Sequence, residues 1–185
     1  MKKIITTAAL LIVLLITTAA LAGGNVELQA KHVGDPGAWK YTTTVGFGEQ
    51  ISPKWGWTGF VLSSNTWGEA YFGPTFKPAS WITIATCAGI QDDPQKSRFA
   101  AWAFMSQGKF SGFYVKETGA GDWHKLLISY STAFGKVQIW NQTALGSGPR
   151  VEYKLPGQKT RASAYVGLMF DDGATNSAIG IIKSF

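Results

Sequence analysis

Two neighbouring stretches decide the fold: residues 149–156, Pro149-Arg150-Val151-Glu152-Tyr153-Lys154-Leu155-Pro156, and residues 161–171, Arg161-Ala162-Ser163-Ala164-Tyr165-Val166-Gly167-Leu168-Met169-Phe170-Asp171. In the first, Val151, Tyr153 and Leu155 alternate with Arg150, Glu152 and Lys154; in the second, Ala164, Val166, Leu168 and Phe170 alternate with Ser163, Tyr165, Gly167 and Met169. A repeat of two sends successive side chains to opposite faces of an extended strand. Each stretch therefore has one oily face and one polar or small face. Residues 38–49 repeat the pattern, with Tyr41, Thr43, Val45 and Phe47 against Lys40, Thr42, Thr44, Gly46 and Gly48.

Working outward, the same rhythm predicts strands at 25–33, 38–49, 54–63, 66–77, 80–91, 97–106, 109–118, 122–132, 136–144, 149–156, 161–171 and 175–185. Short connectors rich in Gly, Pro, Asn and Asp separate them. Links this short join antiparallel neighbours, because a parallel return needs a crossover of about a dozen residues. Every Asp lies at or beside an odd-numbered connector (Asp35, Asp92, Asp93, Asp122, Asp171, Asp172), whereas Lys54, Lys77, Lys109, Lys136, Lys159 and Arg161 mark the even ones. An up-and-down meander would gather these into an acidic rim and a basic rim.

Twelve strands in an open sheet would leave two bare edges, which closure into a barrel removes. A soluble barrel fills its centre with apolar bulk; a barrel in lipid turns the oily face outward and keeps Gly, Thr and charge within. The length of the segments matches the nine to eleven residues, about, that a tilted strand needs to cross hydrocarbon. The expected fold is thus all-β: an antiparallel up-and-down transmembrane β-barrel of about twelve strands, with ten as the alternative. The competing reading is a soluble periplasmic or secreted barrel or sandwich that holds a sugar or lipid on exposed tryptophans.

The start of the chain supports export. Met1-Lys2-Lys3 is basic, Ala8 to Leu21 is apolar or small, and Ala20-Leu21-Ala22 has the small-x-small ending of a cleaved leader. Residues 1–22 are expected to be a signal peptide, rather than a membrane anchor, and 23–185 a single barrel domain. Loss of Lys2 and Lys3 lowers the formal charge from +6 to +4, which with export argues against nucleic acid as a partner.

Composition excludes other classes. With one cysteine, Cys87, and two histidines, His32 and His124, the chain has neither an internal disulfide nor a cysteine-histidine zinc set, so no metal site or cofactor is expected. No phosphate-cradling loop or His-Glu helix motif occurs. Asp122, His124 and Ser129 invite comparison with a catalytic triad, but an odd spacing within one strand sends His124 and Ser129 to opposite faces. No catalytic residue is assigned, and the chain is not expected to be an enzyme.

The carboxyl end adds a resemblance. Ile179, Ile181 and the terminal Phe185 resemble the assembly signal on the last strand of bacterial outer-membrane β-barrel proteins, although Lys183 departs from it. That resemblance implies the outer membrane as location, with its lipid and its assembly machinery as partners. The expected role is a narrow, porin-like pore for small hydrophilic solutes or ions. The residues expected to line the bore are Lys40, Glu69, Lys116, Lys125, Gln138, Gln142, Arg150, Glu152 and Lys154. Trp39, Trp55, Trp57, Trp67, Trp81 and Trp123, close to connectors, are expected at the membrane interfaces, where amphipathic rings settle.

Overall fold

The computed structural model describes residues 23–34, 38–92, 95–119, 121–157 and 161–185. The proposed leader, 1–22, lies outside them, as do Asp35, Asp93 and Lys159 of the rim pattern. Twelve strands form: β1 (Gly24–Val33), β2 (Ala38–Gln50), β3 (Trp55–Ser64), β4 (Gly68–Ala79), β5 (Ile82–Asp92), β6 (Gln95–Gln107), β7 (Phe110–Thr118), β8 (Trp123–Ser131), β9 (Gly135–Gln142), β10 (Gly146–Lys154), β11 (Ala162–Asp171) and β12 (Ala174–Ser184). Each pairs antiparallel with its neighbours in sequence, and β1 pairs with β12 to close the barrel.

The seam is continuous. It runs from Asn25 opposite Ser184 to His32 opposite Ser177, and the Phe185 amide donates to the Gly24 carbonyl. Elsewhere proline marks the irregularities: the β4–β5 register shifts between Phe76 and Ala79, where Pro78 has no N–H to give the ladder. The longest connector is 155–161, and its Leu155, Gly157 and Arg161 line one mouth of the cavity. Odd connectors gather at one end with Asp92, Asp122, Asp171 and Asp172, and even connectors at the other with Lys54, Lys109, Lys136 and Arg161.

The deciding stretches settle which face is oily. Val151 is 50% exposed, Tyr153 52%, Val166 50%, Leu168 47% and Phe170 57%, whereas Arg150 is 2% exposed and Met169 is fully buried. Leu28, Phe72, Ile90, Phe99, Phe110, Ile139, Ile179 and Ile181 continue the exposed apolar surface round the barrel. Soluble monomers rarely expose apolar patches beyond a few hundred Å². The soluble reading needed these side chains in a dry centre, and they stand on the outside instead.

Glycine opposite a ring lets the wall carry bulk. A Cβ on Gly89 would lie 2.6 Å from the Tyr71 ring, and one on Gly180 would lie 2.5 Å from the Tyr165 ring and hydroxyl. Each tyrosine thus lies flat over its glycine neighbour, Tyr71 opposite Gly89 and Tyr165 opposite Gly180.

Candidate functional site: the charged bore

One cavity of about 1110 Å³ runs inside the barrel and is lined at both ends, by Trp67, Asp122 and Trp123 at the odd-connector rim and by Lys154, Gly157 and Arg161 at the other. Its wall carries charges of both signs, cations in excess. They are sorted by position.

On the β4–β7 side, Arg98 on β6 donates from Nη2 to Glu117 Oε2 at 2.9 Å and from Nε to the Tyr71 hydroxyl at 2.9 Å, with Glu69 Oε2 at 3.8 Å. The Tyr71 hydroxyl reaches the carboxylates of Glu117 (3.2 Å) and Glu69 (3.4 Å). All four side chains are buried. Two carboxyl groups thus share one guanidinium on this wall. Charge-assisted bonds fix the geometry, which offsets the cost of burying the ions.

Further round the wall, β8 to β10 present Lys125, Lys136, Arg150 and Lys154. The Arg150 guanidinium lies 3.6 Å from the Tyr165 ring centroid and 5.2 Å from that of Trp140, and Lys125 Nζ lies 5.2 Å from the Trp140 centroid. A cation over a ring face is attracted by the ring quadrupole. Glu152 is shared among Arg150 (3.7 Å), Lys136 (3.6 Å) and the Ser163 hydroxyl (2.9 Å). Behind them Tyr165 accepts from Gln29 Nε2 at 2.6 Å and donates to Glu27.

Of the residues expected in the bore, Glu69, Lys125, Gln138, Gln142, Arg150, Glu152 and Lys154 line the cavity. Lys40 sits opposite the lining residue Lys31 near the odd rim, but is itself exposed and does not line the cavity. Lys116 is a correction. Its neighbours Val115 and Glu117 face the cavity, so Lys116 points outward, where it pairs with Asp122 at 3.6 Å. Charge alone did not reveal the phase of β7, because Lys116 and Glu117 are adjacent and only one can face in.

The tryptophans divide similarly. Trp39, Trp55 and Trp81 are about half exposed near connectors, and Trp57 lies outside beside Phe47 and Phe72. Trp67 and Trp123 instead line the mouth of the cavity, in phase with Glu69 on β4 and with Lys125 on β8. Glu27, Gln29, Lys31, Arg98, Glu117, Lys136, Trp140 and Tyr165 were missed. Each lies on the inner phase of its strand, so the repeat of two, extended to every strand, would have found them.

Asp122, His124 and Ser129 do not come together. Asp122 pairs with Lys116, His124 contacts Asn141 (2.7 Å) and Thr143 (3.0 Å), and Ser129 accepts from Gln138 inside the barrel (2.8 Å).

The same closed, antiparallel barrel fold is found among solved structures. The chain is similar in fold to a KdgM porin structure (TM-score 0.56, 11% identity, 87% of this chain and 99% of that chain) and to the KdgM porin in complex with disordered oligogalacturonate (TM-score 0.55, 10% identity, covering 87% and 99%). The NanC porin in a rhombohedral crystal form is also similar (TM-score 0.50, 9% identity, covering 88% and 98%). No protein-family model matches the sequence, and no curated protein matches it.

Proposed function

We propose that this chain is an outer-membrane pore that passes small hydrophilic solutes, with a preference for anions. The observation that carries the reading is a cavity that bears charged side chains and is lined at both rims, inside a barrel whose outer surface is apolar. An apolar exterior suits hydrocarbon around it, and charged side chains along a bore suit the passage of hydrophilic solutes. The excess of Lys and Arg in the lining, concentrated on β8 to β10, favours anions near that wall. One structural neighbour is described with oligogalacturonate, a carboxylated sugar chain, and acidic sugars are the solute class this wall would suit.

In this reading residues 1–22 direct export, and Ile179, Ile181 and Phe185 present the last strand to the assembly machinery. The rim carrying both chain ends faces the periplasm and the Asp-bearing rim faces out. Trp39, Trp55, Trp57 and Trp81 anchor the barrel in the lipid interfaces.

Reconstitution tests it. The purified chain should run faster on unboiled than on boiled gels, fractionate with outer membranes, and produce stepwise conductance in planar bilayers. Full release by osmotic shock with no conductance would overturn the reading.

A further inference from the structure

The bore is not a plain tube. In its odd-rim half, on the β9–β12 side, Trp140 and Met169 are fully buried, Leu145 is 2% exposed, and with Tyr165 and Ala178 they form one apolar cluster. Val33, Leu127 and Ile182 pack against it, also from inner positions of their strands. Trp140, Leu145, Tyr165 and Met169 are absent from the cavity lining, so the open space is displaced toward the other wall at this height.

The cluster has its own stopper and latch. Leu145 belongs to the β9–β10 turn, where Ala144 takes φ 64°, a left-handed conformation that costs a non-glycine residue free energy. Gly146 follows at φ 84°, where a Cβ would meet the Phe170 carbonyl oxygen. The turn so formed sends a leucine inward from a rim position. Asn176 on β12 holds it there, donating from Nδ2 to the Leu145 carbonyl at 2.9 Å while its Oδ1 accepts from the Gly34 amide at 2.9 Å. One buried amide therefore ties two rim turns together.

We propose that this apolar wedge, built from Trp140, Leu145, Tyr165 and Met169 and latched by Asn176, sets the narrowest section of the pore and with it the largest solute that passes. Among the described residues, these side chains of the wall and of one turn take up the space on the β9–β12 side. A wedge without exposed polar atoms carries no ions, so its cross-section is subtracted from the conducting area. The claim rests on the pore reading above, and it commits the odd-rim half of the bore, where the β9–β12 wall is filled, as the size limit.

The test compares wild type with Leu145→Ala/Met169→Ala and with Asn176→Ala in planar bilayers and in swelling assays with neutral sugars of increasing size. Heat modifiability checks folding. Removing the two side chains widens the bore, and conductance should rise by roughly 1.5-fold or more, with a larger sugar admitted. Asn176→Ala keeps every apolar group and should raise conductance less, so it decides the matter if the double variant fails to fold. A conducting wild type with folded variants of equal conductance and equal size limit would overturn the wedge and leave the pore intact. A silent wild type with conducting variants would support the wedge as a full plug. Silence in all three would overturn both readings.

Discussion

Tyr71 on β4 and Tyr165 on β11 stand five strands apart round the barrel and are laid down in the same way, each over a glycine of the next strand. Each also has an arginine and a glutamate within reach. The outcomes differ. Arg98 meets Tyr71 at its hydroxyl and is claimed by two carboxylates, whereas Arg150 meets Tyr165 at its ring face and has only a shared Glu152. Arg150 Nε has no hydrogen-bond partner. The approach of the guanidinium, edge-on to oxygen or flat on a ring, decides whether its charge is cancelled locally or remains available to the bore.

The largest effect expected from breaking this contrast is on the β4–β7 side. Arg98→Ala leaves Glu69 and Glu117 facing each other without a cation, and should cost about 3 kcal/mol of stability, read from urea unfolding in detergent. Gly180→Ala and Gly89→Ala push a methyl into the tyrosine above and should each cost about 2 kcal/mol by the same measurement, from overpacking. Gly180→Ala should also alter conductance, because Tyr165 supports Arg150.

Selectivity sharpens the comparison further. A unit charge roughly 8 Å from a passing ion contributes about 0.5 kcal/mol in a water-like dielectric. Reversing two of them, with Arg150→Glu and Lys154→Glu, should lower the anion-to-cation permeability ratio by roughly tenfold in dilute salt, read from zero-current potentials. An unchanged ratio in a conducting barrel would remove these residues from the ion path. The smallest effect belongs to the hydroxyls. Tyr165→Phe strips Gln29 and Glu27 of their shared partner and should cost about 1.5 kcal/mol, whereas Tyr71→Phe leaves Arg98 its carboxylates and should cost about 1 kcal/mol.

Much of this was legible in the sequence because a period of two is a local property. Val151 to Leu155 and Ala164 to Phe170 could be assigned a face from the strand alone, and the short connectors fixed the order of neighbours. The misplaced residues were assigned by other cues. Trp67 and Trp123 were placed by their nearness to connectors although they share the phase of Glu69 and Lys125, and Lys116 lies beside Glu117, so charge did not say which faces in. A long lysine near a strand end can carry its ammonium out to solvent. The wedge was hidden for another reason: Leu145 is a turn residue by sequence and becomes internal only through Ala144's backbone and a bond from Asn176, 31 residues later. The Glu27–Tyr165 contact spans 138 residues and exists only once the sheet has closed.

That closure has a kinetic consequence. The strand made first finds its second partner only when the strand made last is present, so β1 must wait with one side unbonded while everything between is built. Bringing residues 25 and 184 together across about 160 residues costs roughly 4.5 kcal/mol of chain entropy by the logarithmic rule. The sheet in between shortens that search by carrying the two ends toward each other as it curls. Zipping of the final pair should therefore be the slow event in assembly, and a chain lacking β12 would present two unsatisfied edges to whatever strand came by.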